Sequence, residues 1–244
     1  MKIQHIILIC FWIISCNTQQ NNCTREYQDR IWLHRANDIE KAKYFQCKYE
    51  GLEIDVHFED SLQTFVIKHD FGEQPKDERN PCILLEEWCN NLDRISELGI
   101  WFDFKNLDSL NQRAALECLK QIREKYNMSG KLIVESGNYK CLAGFQDAGF
   151  GISYYIPFYE ENAMNCVTES NVILEIQKAI LDGKIPRLSG YDYQYPFMRK
   201  NFPSMRKLLW TTSFDSERQK ESLEILKADT LVEVLLLPNK QDEK

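Results

Sequence analysis

Leu52-Glu53-Ile54-Asp55-Val56-His57-Phe58 alternates apolar and polar residues without a break. Strict alternation predicts a β-strand, with Leu52, Ile54, Val56 and Phe58 on one face and Glu53, Asp55 and His57 on the other. Only about seven residues separate Val56 from the next β-rich run, Thr64-Lys68, whereas a helical crossover takes about a dozen or more. The two runs therefore predict a hairpin turning at Asp60-Ser61. In that pairing Glu53 sits opposite roughly Lys68, and His69 lies beside Glu53.

Outward from this hairpin, strand-like and helix-like segments alternate. Further β-branched or aromatic runs stand at Ile31-Leu33, Ile100-Phe104, Lys131-Glu135, Ile152-Ile156, Arg187-Tyr191, Leu208-Thr212 and Leu231-Leu237. The Arg187 run follows Pro186 and contains Gly190, both poor strand formers. Helical spacing fits Asn37 to Tyr49, Tyr139 to Ala148, Ser170 to Leu181 and Ser216 to Ala228. It is clearest from Leu110 to Tyr126, where Leu110, Ala114, Leu116, Leu119 and Ile122 mark the apolar face. Alternation of this kind predicts a parallel sheet covered by helices. The candidate strands exceed by one the eight of a closed barrel, and the hairpin absorbs the surplus. The expected fold is thus α/β, a TIM (β/α)8 barrel with a β-hairpin after its second strand.

The 244 residues are 43% hydrophobic, with 30 Lys+Arg against 37 Asp+Glu and a net charge of -7. This excludes collagen-like, disordered and polytopic membrane classes, and an acidic surface argues against nucleic-acid partners. No linker or repeat divides residues 30–238, so one barrel domain is expected there, followed by a short tail at 239–244.

Residues 1–16 read differently. Met1-Lys2 precedes the apolar run Ile6 to Ile14 (IILICFWII), which is too short to span a bilayer and reads as a signal-peptide core. Ile13-Ile14-Ser15-Cys16 resembles the lipobox of bacterial lipoproteins, whose cysteine is lipidated; an ordinary secretory signal is the alternative. Residues 17–29, beginning NTQQNN, form a polar tether. The protein is expected to be exported, either anchored to a membrane through Cys16 or secreted. Of the nine cysteines, Cys10 and Cys16 fall in the signal, which leaves an odd number. Export permits disulfides. Cys82 with Cys89 and Cys141 with Cys166 are plausible bridges, and spacing leaves the connectivity open. No tight C-x-x-C pair suggests zinc.

Chemistry concentrates at the ends of the predicted strands. His34-Arg35 closes the first, Glu53 and Asp55 share a face of the second, and His69-Asp70 closes the hairpin. Asp103-Phe104-Lys105 places an acid and a base two residues apart at the end of a very apolar strand. In a barrel these ends converge on one mouth. Acids aimed into a buried interior must be paired or metal-bound. Glu53, Asp55 and Asp103 offer the oxygen ligands that Mg²⁺ or Ca²⁺ prefers. Two flanking histidines suit acid and base roles, and Lys105 suits an anionic oxygen. Glu135 is a further candidate for the metal shell or for a salt bridge to Lys105. Asp192 with Tyr191 and Tyr193, and Trp210 with Tyr154, are candidates to line a substrate cleft.

The ordered set His34-Arg35, Glu53-x-Asp55, His69-Asp70 and Asp103-x-Lys105 resembles the glycerophosphodiester phosphodiesterase family, within the phospholipase-C-like phosphodiesterase superfamily of TIM barrels. The late Leu208-Leu209-Trp210-Thr211-Thr212 is similar to the family's closing W-T segment. The resemblance implies His34 and His69 as the catalytic acid/base pair. It implies a divalent cation on Glu53, Asp55 and Asp103, with Arg35 and Lys105 on the phosphate. The implied substrate is a small-molecule or lipid phosphodiester. Departures accompany it. Ala36 stands where the family usually has Gly, a Glu-Asn-Thr helix start is missing, and the chain ends its last strand at Leu236-Leu237-Pro238 without Thr-Asp. Asp103, where Glu is common, looks more like the sphingomyelinase D branch. His34 with Asn37, and Trp101 to Leu107 (WFDFKNL), are also similar to menorin-type secreted proteins. The departures support one competing reading, a barrel that binds without turnover; a third is a metal-independent mode like that of phosphoinositide phospholipase C, using His34 and His69 without a cation.

Overall fold

The computed structural model describes residues 30–69, 82–159, 166–211 and 217–238. The signal segment with Cys16, the tether, the tail, Asp70 and Thr212 lie outside the described residues. The chain runs β1 (Ile31–Leu33), α1 (Ile39–Phe45), β2 (Gly51–Glu59), β3 (Thr64–Ile67), β4 (Ile83–Leu84), α2 (Leu85–Asn90) and β5 (Gly99–Phe104). It continues with α3 (Gln112–Lys125), β6 (Leu132–Ser136), α4 (Ala143–Asp147), β7 (Gly151–Tyr155) and α5 (Cys166–Gly183). It closes with β8 (Arg187–Tyr191), α6 (Tyr195–Asn201), β9 (Arg206–Trp210), α7 (Glu217–Ala228) and β10 (Val232–Leu237).

The sheet has ten strands in the order β1-β10-β9-β8-β7-β6-β5-β2-β3-β4, and β1 also pairs with β2. That extra pairing, at Leu33 and Leu52, closes the barrel. With β3 and β4 set aside, eight strands remain, all parallel to their neighbours. This is the expected TIM barrel. Besides closing on β1 at Leu52, β2 serves two further partners along its length. Gly51 to Val56 pair with β5, whereas Val56 to Glu59 pair with the antiparallel β3.

The hairpin forms with a register shifted from the predicted one. Val56 faces Ile67 and Glu59 faces Thr64, and the Lys68 amide donates to the Asp55 carbonyl at 3.1 Å. Asp55, not Glu53, is therefore the acid beside the end of β3. The cause is the turn, which takes the whole of 60–63 and puts Gln63 at φ 51. A turn longer than the expected one moves every opposing pair.

Alternation sorts the two faces of the barrel. Leu52, Ile54 and Val56 join Ile100, Phe102, Val134, Ile152 and Tyr154 in the core beneath the helices. Trp32, Trp101, Ile133, Leu208, Trp210, Val234 and Leu236 fill the interior. Towards the amino-terminal end of the strands Trp32 is wedged between two glycines on neighbouring strands. A Cβ on either Gly51 or Gly99 would stand 2.3 Å from its indole ring. Below it a register shift between Val232 and Val234 gives Glu233 room to meet Lys131, Arg187 and Arg206.

Several expectations are corrected. Leu110 is 87% exposed and precedes α3, whose buried face is Ala115, Leu119 and Ile122. The two-residue β4, and the six- and seven-residue helices α2 and α6, are too short to carry a legible period. Cys82, Cys89 and Cys141 are free thiols, so neither anticipated bridge forms. Cys89 is buried on α2 while Cys82 is exposed ahead of β4. Cys47 is disulfide-bonded.

Candidate active site

The carboxyl ends of the barrel strands enclose a pocket of about 410 Å³. Its lining includes His34, Arg35, Glu53, Asp55, His69, Asp103, Lys105, Glu135 and Trp210, together with Trp101, Tyr155 and Tyr191. Parity explains the convergence, because Glu53 and Asp55 on β2, Asp103 on β5 and Glu135 on β6 all sit at inward positions. The strand register also pairs Asp55 with Asp103 and Asp103 with Glu135.

Glu53, Asp55 and Asp103 each offer an oxygen, and those atoms lie within 4.8 Å of one another. Glu53 and Asp55 are each 2% exposed. Arg35 adopts φ 52, a left-handed conformation uncommon outside glycine, and its backbone amide donates to Glu53 Oε2 at 2.7 Å. His34 Nε2 stands 3.8 Å from the same oxygen. Asn37 holds Asp55 twice: its Nδ2 donates to Asp55 Oδ2 at 2.7 Å, and its Oδ1 accepts from the Asp55 amide at 2.9 Å. Lys105 Nζ contacts Asp55 Oδ1 at 2.9 Å and also Asp103. His69 is exposed on the pocket's edge, where its charge would act on Asp55.

The electrostatics follow from burial and from the mutual repulsion of neighbouring carboxylates. Burial, reinforced by Asp55 and Asp103, pushes the Glu53 carboxyl well above its usual range. Burial opposes ionisation of Asp55, but Lys105 and Asn37 outweigh it and lower its pKa. Burial, then Arg35, lowers the His34 imidazole to about 3, so it is neutral at neutral pH. Glu135 is raised well above normal by burial and then by Asp103. The Ser189 hydroxyl pulls it partly back, although neither carboxylate oxygen meets a hydrogen-bond partner among the described residues.

Among the described residues, the Lys105 ammonium contacts Asp55 and Asp103 of the three clustered carboxylates, with Glu135 lining the same pocket. Hard oxygen donors at this spacing, two of them buried and the third partly so, fit a divalent cation. Glu53, Asp55 and Asp103 would hold it.

Not every candidate reaches the pocket. Tyr154 turns outward into the helix-facing core, where its hydroxyl donates to Glu175 at 2.9 Å, and Tyr155 lines the pocket instead. Asp192 accepts from the Tyr193 amide at 2.8 Å and is not among the described lining residues. His57 is buried on β2 beyond Asp55 and does not line the pocket. The two hydrogen bonds between Asn37 and Asp55, and the inward position of Tyr155, go beyond what the sequence reading assigned. Counting β7 from Gly151 would have revealed Tyr155, since Ser153 and Tyr155 then share parity.

A closed parallel barrel with its pocket at the strand carboxyl ends is the architecture of the TIM-barrel proteins, and the solved structures it matches include phosphodiesterases. A glycerophosphodiester phosphodiesterase from Parabacteroides distasonis superposes with a TM-score of 0.58 at 15% identity, covering 85% of this chain and 92% of that one. An Oleispira antarctica phosphodiesterase, in complex with the product sn-glycerol-3-phosphate, superposes with a TM-score of 0.56 at 12% identity, covering 86% and 92%. Identities this low establish a shared fold. No protein-family model and no curated protein matches the sequence.

Proposed function

We propose that the protein is an exported phosphodiester hydrolase, dependent on Mg²⁺ or Ca²⁺, that acts on glycerophosphodiesters or phospholipid headgroups. The observation that carries this reading is the gathering of Glu53, Asp55 and Asp103 within 4.8 Å, in one pocket with His34, His69, Arg35 and Lys105. Carboxylates alone would suit any divalent site. Two imidazoles and two cationic side chains beside them suit a phosphate with a proton to take and a proton to give.

Glu53, Asp55 and Asp103 would hold a divalent cation, which when bound would supply Lewis-acid neutralisation of phosphate charge. Arg35 and Lys105 add positive charge on the same side. His34, neutral because it is buried, accepts the proton of the attacking oxygen as that oxygen bonds to phosphorus. His69, at the open edge, gives a proton to the leaving alkoxide as the second P–O bond breaks. Export is supported by the apolar run at Ile6 to Ile14 and by the disulfide-bonded Cys47, with anchoring through Cys16 as part of the proposal.

The deciding experiment is hydrolysis of glycerophosphodiesters and of a chromogenic bis-aryl phosphate, with metal supplied and with EDTA. Cleavage that stops on chelation is expected. EDTA-resistant cleavage would favour a metal-independent mode with Lys105 as the resident cation between Asp55 and Asp103. No cleavage of any diester would leave a binding barrel.

A further inference from the structure

Lys105 stands where a divalent ion would have to bind. Its Nζ contacts Asp55 Oδ1 at 2.9 Å and also Asp103, and both acids belong to the clustered group of three. Asp55 Oδ2 already accepts from Asn37 Nδ2 at 2.7 Å, so the ammonium and the ion compete for Oδ1. Two cations on one carboxylate oxygen repel strongly where water is scarce. Binding of the ion therefore requires the lysine to move.

The same pocket offers it one destination. Glu135 is 1% exposed, lines the pocket, and is the register partner of Asp103 on the neighbouring strand. Among the described lining residues it is the one acid outside the group of three. Neither of its oxygens meets a hydrogen-bond partner among the described residues. Burial and Asp103 act on it most strongly, and the Lys105 charge also reaches it, pulling the other way. A buried carboxylate without a partner is costly, and a cation that meets it relieves the cost. Lysine carries a compact charge on a flexible four-carbon stem, so side-chain rotation is enough to carry it between neighbouring acids.

We infer that Glu135 is a positioning residue that receives the Lys105 ammonium when an ion takes Asp55 and Asp103. The inference rests on the divalent-cation reading above. On Glu135 the ammonium no longer opposes the ion, yet it stays in the pocket with its charge available to a phosphate oxygen. Glu135 acts through Lys105 and not as a ligand of the ion.

The test is a double-mutant cycle on metal affinity, measured by isothermal titration of Mg²⁺ and Ca²⁺ into the full chain without substrate. Glu135→Gln should weaken binding by about tenfold, and Lys105→Met should tighten it by about as much. In the Lys105→Met background Glu135→Gln should change affinity by less than about twofold, because the group it serves is gone. An equal loss in both backgrounds overturns the inference and leaves the metal site standing, since Glu135 would then act on the ion directly or on the fold alone. Binding by Lys105→Met but not by the wild type would mean a lysine with nowhere to go, and also overturns it. If neither protein binds either ion, the divalent-cation reading fails and this inference falls with it. A crystal structure with Ca²⁺ bound provides the direct check. Lys105 Nζ should lie within hydrogen-bond distance of a Glu135 oxygen, and a lysine still seated on Asp103 overturns the inference.

Discussion

The side-chain amide of Asn37 and the carboxylate of Asp55 are locked together by two hydrogen bonds, at 2.7 Å to Oδ2 and at 2.9 Å from the Asp55 amide. Asn37 lies just past the first strand, and Asp55 on the second. The pair therefore sets the Asp55 carboxylate plane and leaves Oδ1 for Lys105 or a cation.

Loss of this clamp should loosen the metal site without removing a ligand. Asn37→Ala is expected to weaken divalent-ion affinity by about 10–100-fold, the usual effect of a partner that orients a ligand. Isothermal titration with Mg²⁺ and Ca²⁺ measures it directly. Unchanged affinity would show that Asp55 holds its orientation without Asn37.

The two histidines should separate by leaving group. His34→Ala is expected to lower kcat by about 10²–10⁴-fold on every diester, because the attacking oxygen always needs its proton removed. His69→Ala should cost as much on a glycerol ester but far less on a p-nitrophenyl ester, whose oxygen leaves without protonation. Equal losses of His69→Ala on both substrates would reverse or cancel the assignment.

At the opposite end of the barrel, the indole of Trp32 needs two bare positions. Gly99→Ala would bring a Cβ to 2.3 Å from that ring, and the floor of a closed barrel has little room to yield. A loss of about 1–3 kcal/mol is expected, read as a fall in thermal midpoint. A Trp32→Leu change in the same background should recover part of it.

Glu233 makes the stability pH-dependent. Burial alone would raise its carboxyl, but hydrogen bonds from Arg187 and Lys131 outweigh it and hold the pKa at about 2, against 4.5 for the free group. A depressed folded-state pKa contributes stability that is present above about pH 4.5 and lost as pH falls through about 2. Glu233→Gln should cost about 2–3 kcal/mol at neutral pH, since three cationic side chains lose their partner. Thermal midpoints of wild type and variant should converge as pH drops across that window.

Most of the strands were readable because a barrel strand has to satisfy two interiors at once. In β2 the alternation of Leu52, Ile54 and Val56 with Glu53 and Asp55 states which face meets helices and which meets the pocket. The same period put Asp103 and Lys105 on one face of β5. It was less plain in β7, where Tyr154 and Tyr155 are chemically alike and only the parity that Tyr155 shares with Gly151 and Ser153 marks it as the inward one. It failed for α2 and α6, which span less than two turns and are held by tertiary packing. The disulfide expectation failed because spacing carries no information about which thiols the fold brings together.

By itself the sequence determined the α/β alternation, the hairpin after the second strand, and the acids, imidazoles and lysine at strand ends, since each follows from local period and residue chemistry. Tertiary structure alone decided that Asp55 is clamped by Asn37 and Lys105. It alone left both Glu135 oxygens without a hydrogen bond among the described residues, in a pocket that Tyr155, Tyr191 and Trp210 also line, and set the hairpin register two residues from the expected one. Those relations depend on distances between strands far apart in the chain, which closure of the barrel fixes and no local pattern encodes.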